Sequence, residues 1–297
     1  MVVRLVWAES IRPADTYPVD YGGTEMLLDR NGTDREHVDL VVFAGQSNMS
    51  GRGTVAEAIL CNSLAGYEYK AVSRPGELLP VREPFGLGED REGAIWDYDS
   101  EGCSKRAGSM VSAVIDTYYS LSGRRIVGVS ASVGGSDTVQ WKELYLADAI
   151  DRLEKAKGFL LESHYGIDKI FIVWCQGESD GDAGRTVEEY TANTREIIGV
   201  FQAHGVERCF LVQTGHYNYV EYPGTVNGLT GREWDQRYGT IRMAQEALCR
   251  QDHGFVLAAS LAPYIHEMKD QFHYNQKAYN MAGRAVGTAM ADYVNAG

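Results

Sequence analysis

The sequence lacks any long hydrophobic run. No segment approaches about 18 uninterrupted apolar residues, so the sequence predicts no membrane-spanning helix. The apolar stretch at the start is interrupted by Arg4 and followed by Glu9, Arg12 and Asp15, and it is too short for the core of a secretory signal. We therefore expect a cytoplasmic protein that does not act in a membrane.

Cysteine and positive charge are also scarce. The cysteines are odd in number and widely spaced without any CxxC, which argues against a disulfide framework and a zinc ribbon: Cys61, Cys103, Cys175, Cys209 and Cys249. Lysine and arginine total 28 against 41 aspartates and glutamates, a formal net charge of −13 at pH 7. Because this charge repels polyanions, we expect no nucleic acid and no anionic membrane as a partner, and a neutral substrate fits better.

What the chain does contain is a regular alternation of two patterns. Short apolar runs rich in β-branched residues are typical of strands buried on both faces: Val38–Ala44, Arg125–Ala131, Lys169–Cys175, Arg208–Thr214 and Gly254–Ala258. Other segments have apolar residues at helical spacing: Ser109–Leu121, Glu143–His164, Thr186–His204, Arg232–Arg250 and Gln276–Val294. The alternation predicts one three-layer α/β domain over residues 1–297, with about five parallel strands and residues 1–37 as an N-terminal extension packed on it.

Two regions do not follow this alternation. Residues 51–108 are rich in glycine, proline and charged residues, and residues 215–231 are equally irregular. Long loops in a compact domain usually bind ligands or cover a site, so we expect both regions to contact the substrate.

Ligands of an open parallel sheet bind at the carboxyl ends of the strands, so the residues after each apolar run are the candidates. The first run leads into Gly45-Gln46-Ser47-Asn48-Met49, which makes Ser47 a candidate nucleophile, although a serine there is equally suited to capping a helix. The second run leads into Gly134 and Gly135, whose backbone N–H groups can point into a site, although paired glycines are also common in simple turns.

Polar residues follow the third and fifth runs as well. Gln176 has an amide that can donate to an oxyanion, and Glu178 adds a carboxylate, although a surface loop would contain the same residues. The fifth run leads to Asp270 and His273, whose spacing lets the carboxylate orient the imidazole as a serine nucleophile requires. Such a pair also occurs by chance near helix starts. The combination of nucleophile, donors and acid–base pair favours an enzyme.

Three short motifs of this chain resemble those of the SGNH-hydrolase superfamily, specifically its sialate O-acetylesterase and acetylxylan esterase group, carbohydrate esterase family 6. They are Gly45-Gln46-Ser47-Asn48-Met49, Trp174-Cys175-Gln176-Gly177-Glu178 and Asp270-x-x-His273. The likeness extends from about Val38 to the last predicted helix. It implies a flavodoxin-like α/β/α domain in which Ser47 attacks an acetyl carbonyl, His273 takes the proton and Asp270 orients the imidazole.

The same resemblance implies an oxyanion hole made of the Ser47 N–H, a glycine N–H and the Gln176 side chain. For the glycine, Gly135 is preferred to Gly134. Many superfamily members have Asn where this chain has Gln176, whereas Gln is usual in this esterase group. The remaining candidates near the substrate are Gln46, Asn48, Gly134, Trp141 and Glu178. Either Trp141 or Val133 is expected to close the acetyl pocket, and Glu178 is expected to be a second carboxylate that orients the histidine or a substrate hydroxyl.

Three other interpretations compete with this one. The α/β-hydrolase elbow requires a second glycine where Met49 stands. A metal hydrolase built on His266, Asp270 and His273 lacks a recognisable ligand spacing, so we expect no metal and no cofactor, and we expect His266 at the surface or behind the site. A non-catalytic carbohydrate-binding protein would use aromatic residues on long loops: Tyr67, Tyr69, Trp96, Tyr98, Tyr217, Tyr219 and Tyr222.

A pure binding protein has no need for Ser47, Gln176, Asp270 and His273 together, so the enzyme is favoured. We expect a serine esterase that removes O-acetyl groups from a small carbohydrate, such as an acetylated xylo-oligosaccharide. Acetylated sialic acid and other acetylated glycans remain alternatives, and the negative net charge mildly disfavours the acidic sugar.

Overall fold

Seven strands form one sheet in the computed structural model of the chain, which describes residues 35–296. The described strands are β1 (His37–Gly45), β2 (Gly66–Tyr69), β3 (Leu78–Pro80), β4 (Arg125–Ser132), β5 (Gly166–Cys175), β6 (Arg208–Gln213), β7 (Thr225–Val226), β8 (Leu229–Thr230) and β9 (Phe255–Ser260). The sheet order is β3-β2-β4-β1-β5-β6-β9, and all neighbours are parallel except β2 with β3. Strands β7 and β8 form a separate small hairpin.

Helices cover both faces of this sheet. They are α1 (Ser47–Ser50), α2 (Val111–Ser122), α3 (Thr138–Gln140), α4 (Leu146–Glu162), α5 (Glu178–Asp182), α6 (Val187–Ala203), α7 (Gly231–Gln251) and α8 (Gln276–Asn295). A π-helical turn at Trp141–Tyr145 joins α3 to α4. None of the helices described between residues 35 and 296 is long and apolar enough to cross a membrane.

Two hydrophobic cores explain the three layers. Side chains alternate across a strand, so Leu40 and Val42 of β1 enter one core while Val41 and Phe43 enter the other. Helices α4 and α6 complete the first core, with Leu153 and Ile197 among other residues, and helices α2 and α8 complete the second, with Val114 and Ala282 among others. The predicted three-layer α/β/α architecture is confirmed.

Helix α8 packs against α2 with its backbone unusually close. A Cβ atom added at Gly283 would lie 2.4 Å from the Met110 carbonyl oxygen, and one at Gly287 would lie 2.6 Å from the Val114 carbonyl oxygen. Only glycine fits at these two positions, so the start of α8 and the loop before it are fixed relative to the sheet.

All five predicted strands form, with bounds within about three residues of the predicted ones. The sheet has seven strands rather than about five because β2 and β3 arise from residues 51–108, which we predicted to be irregular. These two strands contain four and three residues, too few to show a hydrophobic period, and β3 ends in Pro80. The predicted N-terminal extension lies almost wholly outside the described residues, and the single domain over 1–297 stays a prediction.

Strand β2 buries one carboxyl group with weak compensation. The Glu68 side chain accepts a hydrogen bond from the Gly86 N–H at 2.9 Å, and its cationic neighbour Lys70 lies 3.9 Å away. Burial raises the pKa of Glu68 from 4.5 to about 7, while Lys70 and the Gly86 N–H act in the opposite direction. The folded state therefore binds this proton more tightly than the unfolded chain does, and stability falls as the pH rises from about 4.5 through 7.

We predict that Glu68→Gln stabilises the protein at pH 8, because glutamine keeps the acceptor for Gly86 and removes the buried charge. The gain in unfolding free energy should be on the order of 2 kcal/mol at pH 8 and close to zero at pH 4. Urea unfolding at both pH values measures it. Glu77→Gln, at a half-exposed glutamate next to β3, serves as the control; an equal effect of Glu68→Gln at the two pH values would contradict the prediction.

Candidate active site

Ser47 is the first residue of α1, directly beyond the end of β1. At Gly45, the last residue of β1, φ is +133°, and a Cβ there would lie 2.0 Å from the Cys175 carbonyl oxygen of β5. Glycine therefore lets the chain turn sharply while β1 stays paired with β5. The Ser47 side chain is 6% exposed, and its N–H has no acceptor among the described residues.

His273 and Asp270 lie beside this serine, in the loop between β9 and α8. The His273 Nε2 lies 2.9 Å from the Ser47 Oγ, and the Nδ1 lies 2.9 Å from an Asp270 carboxylate oxygen. Since Nδ1–H donates to the carboxylate, Nε2 is the unprotonated nitrogen that accepts the serine hydroxyl. The three residues that the sequence picked out thus form one hydrogen-bonded chain.

Asp270 is held in its ionised form. Its second carboxylate oxygen accepts the N–H groups of Phe272 and His273, both at 2.8 Å. Partial burial would raise the pKa of Asp270, but the His273 side chain and these N–H groups outweigh it and lower the pKa to about 2. The imidazole therefore faces a carboxylate at any pH above about 3.

Asn48, the residue after the nucleophile, joins the two parts of the site. Its Nδ2 donates to a Glu178 carboxylate oxygen at 2.6 Å and to the Phe272 carbonyl oxygen at 3.2 Å, and its Oδ1 accepts the Tyr279 hydroxyl at 2.7 Å. A flipped amide would set oxygen against both acceptors, so its orientation is fixed. Asn48 thus lies behind the site and connects α1 to the loop of Asp270 and His273.

Glu178 is buried beneath the site and does not hydrogen-bond to His273. Asn48 donates to one of its carboxylate oxygens, while the other has no partner among the described residues. Burial raises the pKa of Glu178. The residue that orients the imidazole in this structure is Asp270, not Glu178.

The two glycines after β4 differ in what their N–H groups do. The Gly134 N–H donates to Asp97 at 3.2 Å. The Gly135 N–H has no acceptor among the described residues, and Gly135 is exposed with φ of +74°. Within the described residues, the Gly135 N–H is therefore without an acceptor near the sheet edge, whereas the Gly134 N–H is engaged.

The position of Gln176 contradicts the role we expected for it. Its amide Nε2 donates to Asp180 at 2.5 Å and to the Ser136 carbonyl oxygen at 3.1 Å, and the residue is fully buried. A flipped amide would face the Asp180 carboxylate with its oxygen, so these donors are committed. Gln176 therefore holds two loops together and presents no N–H to a substrate oxygen.

Gln46, directly before Ser47, has an amide nitrogen that is available as a donor, unlike that of Gln176. Its Oε1 accepts the backbone N–H groups of Gly177 and Ser179 at 3.1 and 3.3 Å and the Gln176 Nε2 at 3.3 Å. Its Nε2 has no acceptor within residues 35–296 and is not among the buried unpaired atoms there. The sequence signal for this role was that Gln46 stands next to Ser47. From that signal we predicted only that Gln46 lies near the substrate.

Trp141 is also misplaced by the sequence analysis. It is fully buried, packs edge-on against Trp174 with ring centroids 4.9 Å apart, and donates its Nε1–H to the Ser136 hydroxyl at 3.0 Å. It therefore supports the turn of Gly135 from behind and cannot line an acetyl pocket. Val133, at 3% exposure, is nearly as inaccessible.

Both long loops reach the segments that form the site. Asp97 of the first loop contacts Gly134, and Asn218 of the second donates to the carbonyl oxygens of Asp270 and Gln271 at 3.2 and 3.1 Å. His266 is exposed, and no group of metal-ligating side chains occurs in the described part of the chain. Substrate contact by these loops stays a prediction.

Comparison with known proteins assigns the family. A family model described as carbohydrate esterase, sialic acid-specific acetylesterase, matches residues 37–292. A solved structure of a protein from Arabidopsis thaliana has a TM-score of 0.59 at 16% identity, covering 87% of this chain and 98% of that one. The likeness supports the fold.

Two further structures are more distant. A carbohydrate acetylesterase from Xanthomonas citri gives a TM-score of 0.47 at 16% identity, over 85% of this chain and 54% of that one. Axe2, an acetylxylan esterase from Geobacillus stearothermophilus, gives a TM-score of 0.43 at 11% identity, covering 86% of this chain and 95% of that one. No curated protein matches the sequence. On the family model, this chain belongs to the sialic acid-specific acetylesterase family of carbohydrate esterases and is a carboxylic ester hydrolase.

Proposed function

We propose that the protein hydrolyses O-acetyl esters on a carbohydrate through an acetyl-enzyme at Ser47. The observation that carries this proposal is the chain of hydrogen bonds from Ser47 through His273 to Asp270, each 2.9 Å long. A serine hydroxyl is a weak nucleophile at neutral pH, and a neighbouring imidazole oriented by a carboxylate is the usual means of activating it.

The reaction follows from these contacts. Ser47 Oγ attacks the acetyl carbonyl while its proton passes to His273 Nε2, and the ionised Asp270 stabilises the resulting imidazolium. The tetrahedral intermediate collapses, and the sugar oxygen leaves with the proton from His273. A water molecule, deprotonated by His273, then attacks the acetyl-Ser47 carbonyl. The second tetrahedral intermediate collapses to acetate while His273 returns the proton to the Ser47 oxygen.

For the oxyanion, we propose three donors: the N–H groups of Ser47 and Gly135 and the side-chain amide of Gln46. The first two are backbone donors without acceptors among the described residues. Gln46 replaces Gln176 in this role because its oxygen is fixed by the N–H groups of Gly177 and Ser179 and its nitrogen is left without an acceptor. Donors already held in place lose little free energy to reorganisation as negative charge develops.

For the alcohol, we propose a neutral acetylated oligosaccharide such as an acetylated xylo-oligosaccharide. The net charge of −13 opposes acidic sugars at long range, and Arg52, close to the turn of Gly134, is paired with the buried Asp97. The family description favours an acetylated sialic acid as the second candidate. Acetate release from acetylated xylo-oligosaccharides, acetylated sialic acid and simple sugar acetates separates them.

We predict that Ser47→Ala and His273→Ala each lower kcat for an aryl acetate by about 10⁴-fold or more, because either change removes the activated nucleophile. His266→Ala, at an exposed histidine near the same loop, is the control and should retain activity. Substantial turnover by Ser47→Ala would refute the nucleophile. Sugar binding by the unaltered protein without any ester turnover would indicate a binding protein instead.

The two carboxylates near the histidine should differ in their importance. Asp270→Asn should lower kcat by about 10³-fold because it sets the wrong imidazole tautomer, whereas Glu178→Gln keeps an acceptor for Asn48 and should cost less than about tenfold. Steady-state kinetics on an aryl acetate, with circular dichroism to verify folding, measures both. Equal losses would show that Glu178 shares the role of Asp270.

The two glutamines allow a matched test of the oxyanion donors. Gln46→Glu keeps the oxygen that accepts from Gly177 and Ser179 but loses the N–H donors, so kcat should fall by about 10²-fold with KM little changed. Gln176→Leu should mainly lower the melting temperature, because it leaves Asp180 with one donor fewer. A larger fall in kcat for Gln176→Leu than for Gln46→Glu would instead indicate that Gln176 is the oxyanion donor.

A further inference from the structure

Trp96 is the most exposed aromatic side chain in the described part of the chain. It is 42% exposed, whereas every other phenylalanine, tyrosine and tryptophan ring between residues 35 and 296 is buried or half-buried. Of the other aromatic candidates for sugar binding, Tyr67, Tyr69 and Tyr217 are buried and lie out of a ligand's reach. Trp96 therefore offers an accessible indole face on the first of the two long loops, where a ligand can reach it.

Trp96 and Tyr98 stack on each other and leave polar groups free. Their ring centroids are 4.4 Å apart with an interplanar angle of 23°. The indole N–H and the phenol hydroxyl have no hydrogen-bond partner among the described residues. A flat aromatic face with a free donor at its edge suits a pyranose ring, whose axial C–H groups pack on the π-face while its hydroxyls bond to the edge.

The residue between them, Asp97, holds the backbone of this segment next to Gly134. Asp97 is 2% exposed and accepts from the Arg52 guanidinium at 2.9 Å and from the Gly134 N–H at 3.2 Å. Its own backbone is held by an N–H bond to Asp90 and by the Lys105 N–H. The two rings are therefore held in place before a ligand arrives, which reduces the entropy lost on binding.

The pair lies on the opposite side of Ser47 from the general base. Gly134 follows β4, on one side of β1, whereas His273 is supplied by the segment after β9, at the other edge of the sheet. Since the sugar oxygen must leave next to His273, the acetylated ring itself lies on the histidine side. A ring stacked on Trp96 is then a neighbouring unit of the same chain.

We propose that Trp96 and Tyr98 form a stacking subsite for a pyranose ring adjacent to the acetylated one, so that the enzyme prefers oligosaccharides to monosaccharides. This inference rests on the proposed esterase function. A second aromatic cluster, formed by Tyr217, Trp234 and Phe272, is less accessible to a sugar. Tyr217 is buried against Phe272, and the Trp234 N–H is bonded to the Val226 carbonyl oxygen.

The test compares substrates with and without a second ring. Trp96→Ala should lower kcat/KM for an acetylated xylotetraose by about tenfold, through KM, and leave an aryl acetate and an acetylated xylose within about twofold of the unaltered protein. Trp96→Phe should restore most of the loss. Leu121→Ala, at a 52%-exposed residue at the end of α2, is the control. Equal losses on all three substrates, or no loss on the oligosaccharide, would overturn the subsite.

Binding measured without turnover separates this proposal from the esterase function. In Ser47→Ala, calorimetric titration with xylotetraose, cellotetraose and chitotetraose should show binding of at least one, weakened about tenfold by adding Trp96→Ala. If none of the three binds, or if Trp96→Ala leaves binding unchanged, the subsite is refuted. Failure of the unaltered protein to hydrolyse any acetyl ester would instead refute the esterase function, whatever the titrations show.

Discussion

The amide of Asn48 makes the contact on which the geometry of the site depends. Its donor group bonds to the carbonyl oxygen of Phe272, 224 positions away in the chain, and to Glu178. A hydrogen bond between serine and histidine tolerates errors of only a few tenths of an ångström, and the two residues come from opposite ends of the described chain. Because Asn48 directly follows Ser47, the proposed nucleophile, it resists any movement of the loop that contains Asp270 and His273.

Three carboxylates surround this site, and their hydrogen-bond donors give each a different role. Asp270 accepts two backbone N–H groups and the imidazole, which keep it ionised. Asp180 is engaged by Thr138 and Gln176, although burial still raises its pKa. Glu178 accepts the Asn48 amide on one oxygen, and burial raises its pKa as well. Of these three carboxylates, Asp270 is the one that hydrogen-bonds to the histidine.

The sequence was most informative where apolar patterns are long and local. The five main strands and the helices between them follow from such runs, and the residues after β1 and β9 could be placed at one sheet edge because parallel strands end there together. Strands β2 and β3 were missed because they are short and include a buried glutamate, Glu68.

Side-chain direction could not be read in the same way. Gln176 follows a buried strand, as an oxyanion donor should, but Asp180 lies one helical turn away and takes its amide hydrogens. Trp141 stands near the right turn but faces the core, because the chain continues through a π-helical turn before α4 begins. Both errors concern orientations decided by neighbours that only the fold brings together.

The packing of α8 on α2 through Gly283 and Gly287 also bears on synthesis of the chain. Ser47 and His273 are 226 positions apart, and the loop that contains His273 is fixed only when α8 can dock on α2. At about 5–20 residues per second, a ribosome needs roughly 10–45 s to cover that distance. For that interval the proposed nucleophile Ser47 is present without its proposed base, and the two come together only when α8 docks on α2.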